Sequence, residues 1–202
     1  MRKPSLLIVW GCGLSGCTPV LTSPQSGSDT GIAPSTWVAP ENQWETGSPP
    51  PSTLVAEGFA QGEVAPDMRL PDQFGDEVSL WQFYGMVIAL DVSTIWCAPC
   101  RALATEVDAT WEDYRDQGFM YLTVLPEDIE GDIPDQEDLV GWGEDWGVTA
   151  PILADGEGFS AEIEPNAEYP HVMIIDRNMK VSVTDVEPAE DASIRAAIES
   201  LL

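Results

Sequence analysis

The chain has 202 residues, which is enough for one domain with additional segments. Its 35 acidic and 8 basic residues give a formal net charge of −27, which argues against nucleic acid as a partner and against attraction to anionic lipid head groups. An acidic surface of this kind is consistent with basic partners, or simply with high solubility.

Residues 1–16 are predicted to form an export signal. Met1-Arg2-Lys3 is positively charged, and the mostly apolar stretch behind it is too short to remain as a membrane-spanning helix. The quartet Leu14-Ser15-Gly16-Cys17 resembles the lipobox of bacterial lipoproteins, in which the cysteine is acylated and becomes the new first residue. This resemblance implies that Cys17 is a lipid anchor. An ordinary cleaved signal, in which that cysteine has no role, is the alternative.

Residues 17–60 are rich in Ser, Thr, Pro and Gly, a composition that predicts a disordered, partly extended tether. Trp37 and Trp44 are unusual in such a segment. They either mark a weak docking segment or have no specific role. The remaining residues, 61–202, are numerous enough to form a single domain with one core.

The domain begins with a predicted β-hairpin, because two short strand-like segments flank the turn-forming residues 71–76. The nearly continuous apolar run at residues 86–92 predicts a strand buried on both faces. Apolar residues at three- and four-residue steps behind Cys100 then predict a helix that ends at Gly118.

Further strands are predicted at residues 119–125, 151–154, 171–175 and 180–186, and further helices at residues 136–146 and after Pro188. This order of elements indicates a mixed α/β sandwich in which helices flank a sheet. The acidic residues between Pro126 and Leu139 lack the spacing of a calcium loop, which favours a solvated acidic loop.

The hexapeptide Trp96-Cys97-Ala98-Pro99-Cys100-Arg101 lies where the buried strand gives way to the helix. Two thiols three positions apart at a helix start can close a small disulfide ring, and free N–H groups and the helix dipole favour a thiolate at the first. Cys12 leaves with the signal and Cys17 takes the lipid, so this pair is what remains in the exported body. The motif therefore predicts thiol–disulfide exchange.

Two alternatives to redox chemistry at the cysteine pair are weaker. A purely structural disulfide would contribute little, because so small a ring constrains little of the chain. A zinc site needs about four ligands, and His171 is the only histidine of the chain. We therefore expect no metal, and no cofactor other than the redox-active Cys97–Cys100 disulfide.

From about Gly62 onward, the chain resembles the redoxin branch of the thioredoxin superfamily, close to membrane-tethered TlpA-type disulfide reductases. Three separated signatures carry the resemblance: Val64-Ala65-Pro66-Asp67 followed by Leu70, the hexapeptide around the cysteines, and the segment at residues 170–176. The resemblance implies a thioredoxin-like α/β fold, with a mixed central sheet flanked by helices and extended by an N-terminal β-hairpin.

The resemblance also assigns roles within the hexapeptide. Cys97, at the exposed start of the helix, is expected to be the nucleophile, and Cys100, one turn further, to resolve the mixed disulfide. Pro99 removes a backbone donor that would have no partner within the helix. Trp96 either shields the dithiol or packs in the core, and Arg101 completes the motif as a supporting residue.

Asp91 lies six residues before Cys97, where thioredoxins carry a buried carboxylate beneath the disulfide. A carboxyl group desolvated there would have a raised pKa and could exchange a proton with Cys100. The alternative is a strand-end aspartate that bonds a backbone group.

Pro170 corresponds to the cis-proline that packs against the disulfide in this superfamily. The resemblance implies that the backbone of Tyr169 is left free to pair with a client chain, and that its ring contacts the client or narrows the groove. His171 is either structural or lies beside the dithiol, where it would raise the thiolate fraction at mildly acidic pH.

These features predict an extracytoplasmic oxidoreductase that reduces disulfides of exported proteins, basic clients such as apocytochrome c among them, with electrons from a membrane-linked thiol donor. The lipid anchor implies the cell envelope, and the outer membrane in a two-membrane cell, because Thr18 stands where inner-membrane retention needs Asp. A thiol peroxidase is one alternative, because Thr94 precedes Cys97 as in peroxiredoxins, although Leu90 replaces their proline. A binding lipoprotein whose disulfide stays closed is another.

Overall fold

The computed structural model describes residues 37–202 and contains, within that range, seven strands and four α-helices. The strands are β1 (Arg69–Pro71), β2 (Glu77–Ser79), β3 (Val87–Val92), β4 (Phe119–Leu125), β5 (Ile152–Ala154), β6 (His171–Ile175) and β7 (Val181–Val183). The helices are α1 (Ala98–Tyr114), α2 (Gln136–Trp146), α3 (Phe159–Ile163) and α4 (Asp191–Glu199). None of these helices is long and apolar enough to cross a membrane.

Five strands form a central sheet in the order β5-β4-β3-β6-β7. β3 pairs in parallel with β4, and β4 with β5, whereas β6 pairs antiparallel with both β3 and β7. Every residue of β3 and β4 is buried, as expected for apolar strands at the centre of a sheet covered on both faces. β1 and β2 form the predicted antiparallel hairpin outside this sheet. The predicted mixed α/β sandwich is confirmed.

The two faces of the sheet carry separate cores, because successive side chains of a strand point to opposite sides. Val87 and Ala89 of β3 pack with α1, α2 and α4 on one side, the helix face, which also holds both cysteines. Ile88 and Leu90 pack with the β1–β2 hairpin on the other side, the hairpin face. Asp91 follows the alternation of Val87 and Ala89 and therefore belongs to the helix face.

Helix α1 begins at the cysteine motif as predicted, but it ends at Tyr114, before the predicted end at Gly118. Its N-cap is Cys97, and Pro99 lies within the first turn, where a missing N–H breaks no helical bond. A short 3-10 turn (Arg115–Gln117) follows the last residue of the helix. Gly118 then adopts a φ of 79°, a left-handed conformation that favours glycine, and turns the chain into β4.

Residues 37–60, which we expected to be part of a disordered tether, pack against the domain instead; we call them the N-terminal segment. Trp44 contacts the rings of Phe74 and Trp111, with ring centroids 5.8 and 6.5 Å apart. Its indole N–H donates to the Asp72 carboxylate at 2.6 Å. Of the two interpretations of Trp37 and Trp44, the docking segment is therefore the correct one: Trp44 supplies both an apolar surface and a hydrogen-bond donor, and the indole N–H of Trp37 donates to Asp67 at 2.9 Å.

Other bonds hold the N-terminal segment along the same path. The N–H of Gly47 donates to the carbonyl of Gln82 at 2.8 Å. A Cβ atom at Gly47 would collide with the carbonyl oxygen of Tyr84, so only glycine allows so close an approach. The predicted signal, the lipobox cysteine and the tether before residue 37 lie outside the described residues, and they stay predictions.

Two elements of the domain differ from the expectation. α3 was not predicted, because five residues are too few to show a helical period. β7 contains three residues instead of the seven predicted, and the register of β6 and β7 shifts at Ile174 and Ile175. Both differences lie far along the chain from the cysteines.

Segments that precede the sheet cover both of its edges. Beside β7, the N–H of Gly62 donates to the carbonyl of Val181, whose own N–H donates to the carbonyl of Glu63. Beside β5, the buried amide of Gln73 donates to the Ala150 carbonyl at 3.1 Å and accepts from the Ile152 N–H at 3.0 Å. At each edge, these backbone groups are therefore paired within the domain.

Candidate active site

A disulfide joins Cys97 and Cys100 at the first turn of α1. Cys97 has extended backbone geometry as the N-cap, and Cys100 lies inside the first turn, so the two sulfurs meet where backbone N–H groups lack helical partners. The N–H of Cys100 donates to the sulfur of Cys97 at 3.2 Å. In the reduced protein, this donor and the helix dipole would stabilise a thiolate on Cys97.

Cys97 is more enclosed than the sequence predicts. Only 4% of the residue is exposed, and Cys100 is fully buried. The Cys97 sulfur lies 3.5 Å from the carbonyl oxygen of Tyr169, and the rings of Tyr169 and Trp96 meet edge to face at 6.3 Å. The expectation of an exposed Cys97 was wrong because the loop before β6, distant in sequence, covers the sulfur. The two rings therefore border the approach to the disulfide.

Trp96 is not a core residue, since 43% of it is exposed. Its indole N–H donates to the carboxylate of Glu127 at 2.8 Å, which fixes the ring beside the disulfide. Nothing in the sequence separates Glu127 from the other acidic residues of its loop, so sequence reasoning missed it. Arg101 is half-buried, and its guanidinium donates to the backbone carbonyl of Ile95 at 3.1 Å. Pro99 is exposed at the start of α1.

Asp91 is buried on the same face of the sheet as the cysteines. Loss of solvent raises the pKa of this carboxyl group to about 7, and a hydrogen bond from the hydroxyl of Ser93, at 2.7 Å, partly opposes the shift. A group with this pKa can both accept and release a proton near neutral pH. The bonding partner of Asp91 is thus a side chain, and not the backbone group that the alternative interpretation requires.

Buried hydroxyl groups surround Asp91 on the helix face. Thr123 pairs with it across β3 and β4, and Tyr121 lies two residues earlier on the same face. Among residues 37–202, neither hydroxyl has a hydrogen-bond partner of normal geometry. Tyr121 is nevertheless close enough for its pKa to be raised, first by burial and then by the Asp91 charge. These polar groups, which the sequence did not single out, give the carboxyl group neighbours that can reorient as it gains or loses a proton.

The Tyr169–Pro170 peptide bond is cis, and it directly precedes β6. The carbonyl of this bond is the one that contacts the Cys97 sulfur. His171 does not join the cysteines. Its ring bonds the carbonyl of Thr184 at 2.8 Å and lies 3.1 Å from the Glu164 carboxylate. By the alternation of β6, it points to the hairpin face, which supports the structural interpretation of this histidine.

Comparison with known proteins identifies the fold. The thioredoxin domain of a thiol-disulfide oxidoreductase from Bacteroides vulgatus superposes with a TM-score of 0.59, at 21% identity over 70% of this chain and 96% of its own. A thiol:disulfide interchange protein of the thioredoxin family from Chlorobium tepidum also gives 0.59, at 16% identity over 70% of this chain and 97% of its own. The predicted thioredoxin-like fold is confirmed.

Sequence comparison identifies the family. An uncharacterized protein of Haemophilus influenzae is 26% identical over 128 residues, which are 62% of this chain and 80% of that protein. The model of the AhpC/TSA family matches residues 61–184, a stretch that includes β1 through β7 and both cysteines of the disulfide. The chain therefore belongs to the AhpC/TSA family, a redoxin family with the thioredoxin-like fold.

Proposed function

We propose that this protein is an extracytoplasmic thiol–disulfide oxidoreductase that reduces disulfides of exported proteins through Cys97 and Cys100. One observation carries the proposal: the Cys97 sulfur accepts the Cys100 N–H at the start of α1, and a buried carboxyl group with a pKa of about 7 lies on the same face of the sheet. The first feature favours a nucleophilic thiolate, and the second supplies an acid–base group.

The reaction has two exchange steps. The Cys97 thiolate attacks one sulfur of a client disulfide; a new S–S bond forms while the client bond breaks, and the second client sulfur leaves with the electron pair and takes a proton. Cys100 then loses its proton, with Asp91 as the acceptor, and attacks Cys97, which releases the first client sulfur as a thiol. The client has gained two electrons and two protons, and a thiol donor restores the dithiol.

The wider setting of this reaction is part of the proposal. With a net charge of −27, the protein would be repelled by anionic lipid head groups, so electrostatic attraction cannot bind it to a membrane. Acylation at Cys17 would instead anchor the domain to a membrane of the cell envelope, on the side away from the cytoplasm. The same charge favours encounters with basic clients, apocytochrome c being one class. A membrane-linked thiol protein would supply the electrons.

Trapping of clients tests the proposal directly. In the Cys100→Ser variant, the second step is blocked, so we expect mixed disulfides between Cys97 and exported proteins to accumulate in the native host. Non-reducing electrophoresis with mass spectrometry of the adducts would identify them. The Cys97→Ser variant is the matched control and should give none. Equal adduct levels in the two variants would contradict the proposal.

A thiol peroxidase is the second candidate, and Thr94 is the observation that favours it. This residue precedes Cys97 by three positions, and its hydroxyl group is buried without a partner among the described residues. An oxygen of a peroxide could accept from that hydroxyl. Consumption of hydrogen peroxide by the reduced protein, measured beside insulin reduction, separates the two activities: the oxidoreductase should reduce insulin much faster.

A further inference from the structure

A groove runs beside the active site, between the start of α1 and one side of α2. Its volume is about 530 Å³, within the range of ~300–1,000 Å³ typical of ligand sites. Its apolar walls are formed by Ile95, Ile129, Trp142 and Trp146. Ile129 belongs to the acidic loop between β4 and α2, and 58% of this isoleucine is exposed. The loop that we expected to be merely solvated thus presents apolar surface at the groove.

Cys97 does not itself line the groove, but two of the lining residues, Ile95 and Arg101, lie close to it. Ile95 is two residues from Cys97, and two residues span at most about 7 Å even when fully extended. Arg101, which also lines the groove, donates from its backbone N–H to the Cys97 carbonyl at 3.1 Å and from its guanidinium to Ile95. A client whose cysteine sulfur is bonded to Cys97 therefore has neighbouring residues within reach of the groove.

Gly141 keeps the groove open. It lies in the interior of α2, where glycine is the least favourable residue apart from proline. Its backbone is not left-handed, and a Cβ atom added there would meet no other part of the chain within 4 Å. Neither conformation nor packing therefore requires a glycine. What its absent side chain does provide is free space in the wall of the groove.

The rim of the groove is acidic. Glu137 and Asp145 are exposed on α2, and neither carboxylate has an ion-pair partner within residues 37–202. Asp138 adds a third carboxylate, which caps the start of α2. Arg101 contributes one positive charge to the lining, against the three carboxylates, so the lining as a whole is negative. The groove therefore combines apolar walls with unpaired negative charge.

We propose that this groove binds the client polypeptide next to its cysteine, with an apolar client side chain between the walls and a client lysine or arginine at the acidic rim. The proposal rests on the thiol–disulfide exchange proposed above and defines its substrate class: cysteine-containing segments that are both apolar and basic. Charge complementarity selects this occupant, because an acidic segment would be repelled by the carboxylates of the rim. A wholly polar segment would leave the apolar walls without an apolar partner.

The test compares two short peptides that differ in charge alone. Each contains a leucine and one cysteine, blocked as a disulfide with 5-thio-2-nitrobenzoate; one carries two lysines beside them and the other two glutamates. The second-order rate constant for release of the coloured thiol by the reduced full chain is measured for each. We expect the lysine peptide to react about tenfold faster at low ionic strength, with the advantage lost at high salt.

Variants of the groove give the decisive comparison. Gly141→Leu fills the groove and should lower the lysine-peptide rate to that of the glutamate peptide, whereas Gly141→Ala, its matched control, should preserve most of the difference. Glu137→Gln combined with Asp145→Asn should also remove the preference. Glu106→Gln combined with Glu112→Gln makes the same charge change on the exposed side of α1 and should retain it.

The outcomes separate this inference from the function on which it rests. Bis(2-hydroxyethyl) disulfide, which is small and neutral, serves as the reference substrate, and every folded variant should reduce it at the wild-type rate. Equal rates for the two peptides, or a folded Gly141→Leu variant that keeps the wild-type preference, would overturn the groove as a client site while the exchange activity stands. Failure of the wild-type protein to reduce any of the three disulfides would overturn both.

Discussion

At the residue scale, the position that matters most after the cysteines is Asp91. An ionisable side chain at the centre of a sheet reduces stability, because burial disfavours its charged form. Apolar residues occupy the other positions of β3, so the carboxyl group serves no packing need that valine could not meet. The loss of stability that this carboxyl group causes has a functional reason if the group accepts the proton of Cys100, because Cys100 is buried and cannot give its proton directly to solvent.

The pH dependence of stability follows from this pKa. Asp91 has a pKa of about 7 in the folded protein, against about 3.9 when unfolded, so the folded state holds a proton that the unfolded state loses first. The contribution of Asp91 to the free energy of unfolding should therefore fall by a few kcal/mol as pH rises from about 4 to about 7, and it should not change further above that pH. Asp91→Asn removes this contribution. In denaturant unfolding of the two oxidised proteins, the free energy of unfolding of the variant should rise relative to that of wild type across this pH interval. A difference between the two free energies that does not change with pH would contradict the assignment.

The hexapeptide, the buried carboxyl group and the cis-proline could be recognised from the sequence, since each is tied to a short pattern or a fixed spacing. The enclosure of Cys97 could not, because Tyr169, which covers it, is 72 residues away along the chain. The bond from Trp96 to Glu127 joins residues 31 positions apart and is hidden for the same reason. The site is thus predictable in its chemistry and not in its accessibility.

At the element scale, local signals defined the elements well. β4 and α2 have the predicted bounds because Gly118 ends the preceding turn and Asp135 caps the helix, its carboxylate accepting the N–H groups of Glu137 and Asp138. For the N-terminal segment, the two tryptophans raised docking only as one alternative, because the segment forms no helix or strand whose pattern could have decided it. Its docking depends on contacts with distant residues, such as those of Trp44 with Asp72 and Trp111, which no local pattern contains.

Trp44→Ala should measure how firmly the N-terminal segment is held. The indole is partly buried between aromatic rings and donates to Asp72, so we expect the free energy of unfolding to fall by about 2 kcal/mol, less than for a fully buried tryptophan. Val55→Ala, at a side chain that is 68% exposed in the same segment, is the control and should change little. Denaturant unfolding of the full chain provides the measurement; equal losses in the two variants would show that the docking contributes no stability.

At the scale of the whole molecule, net charge sets the working conditions. A chain with a formal charge of −27 repels itself in the compact state, and dissolved salt screens that repulsion. We expect the melting temperature to rise by several degrees when sodium chloride increases from about 0.05 M to about 1 M. The rate with the neutral bis(2-hydroxyethyl) disulfide should change little over the same range. A melting temperature that falls with salt would mean that attractive ion pairs outweigh the repulsion.

The edge bonds of the central sheet have a consequence for a protein that handles unfolded polypeptides, as our proposal requires. A bare outermost strand is a template onto which any extended polypeptide can add itself, and such additions propagate into aggregates. Gly62 and Glu63 occupy that position on one margin, and Gln73 occupies it on the other. Under our proposal, an unfolded client can therefore form a mixed disulfide with the protein and be released again without adding a strand to the central sheet.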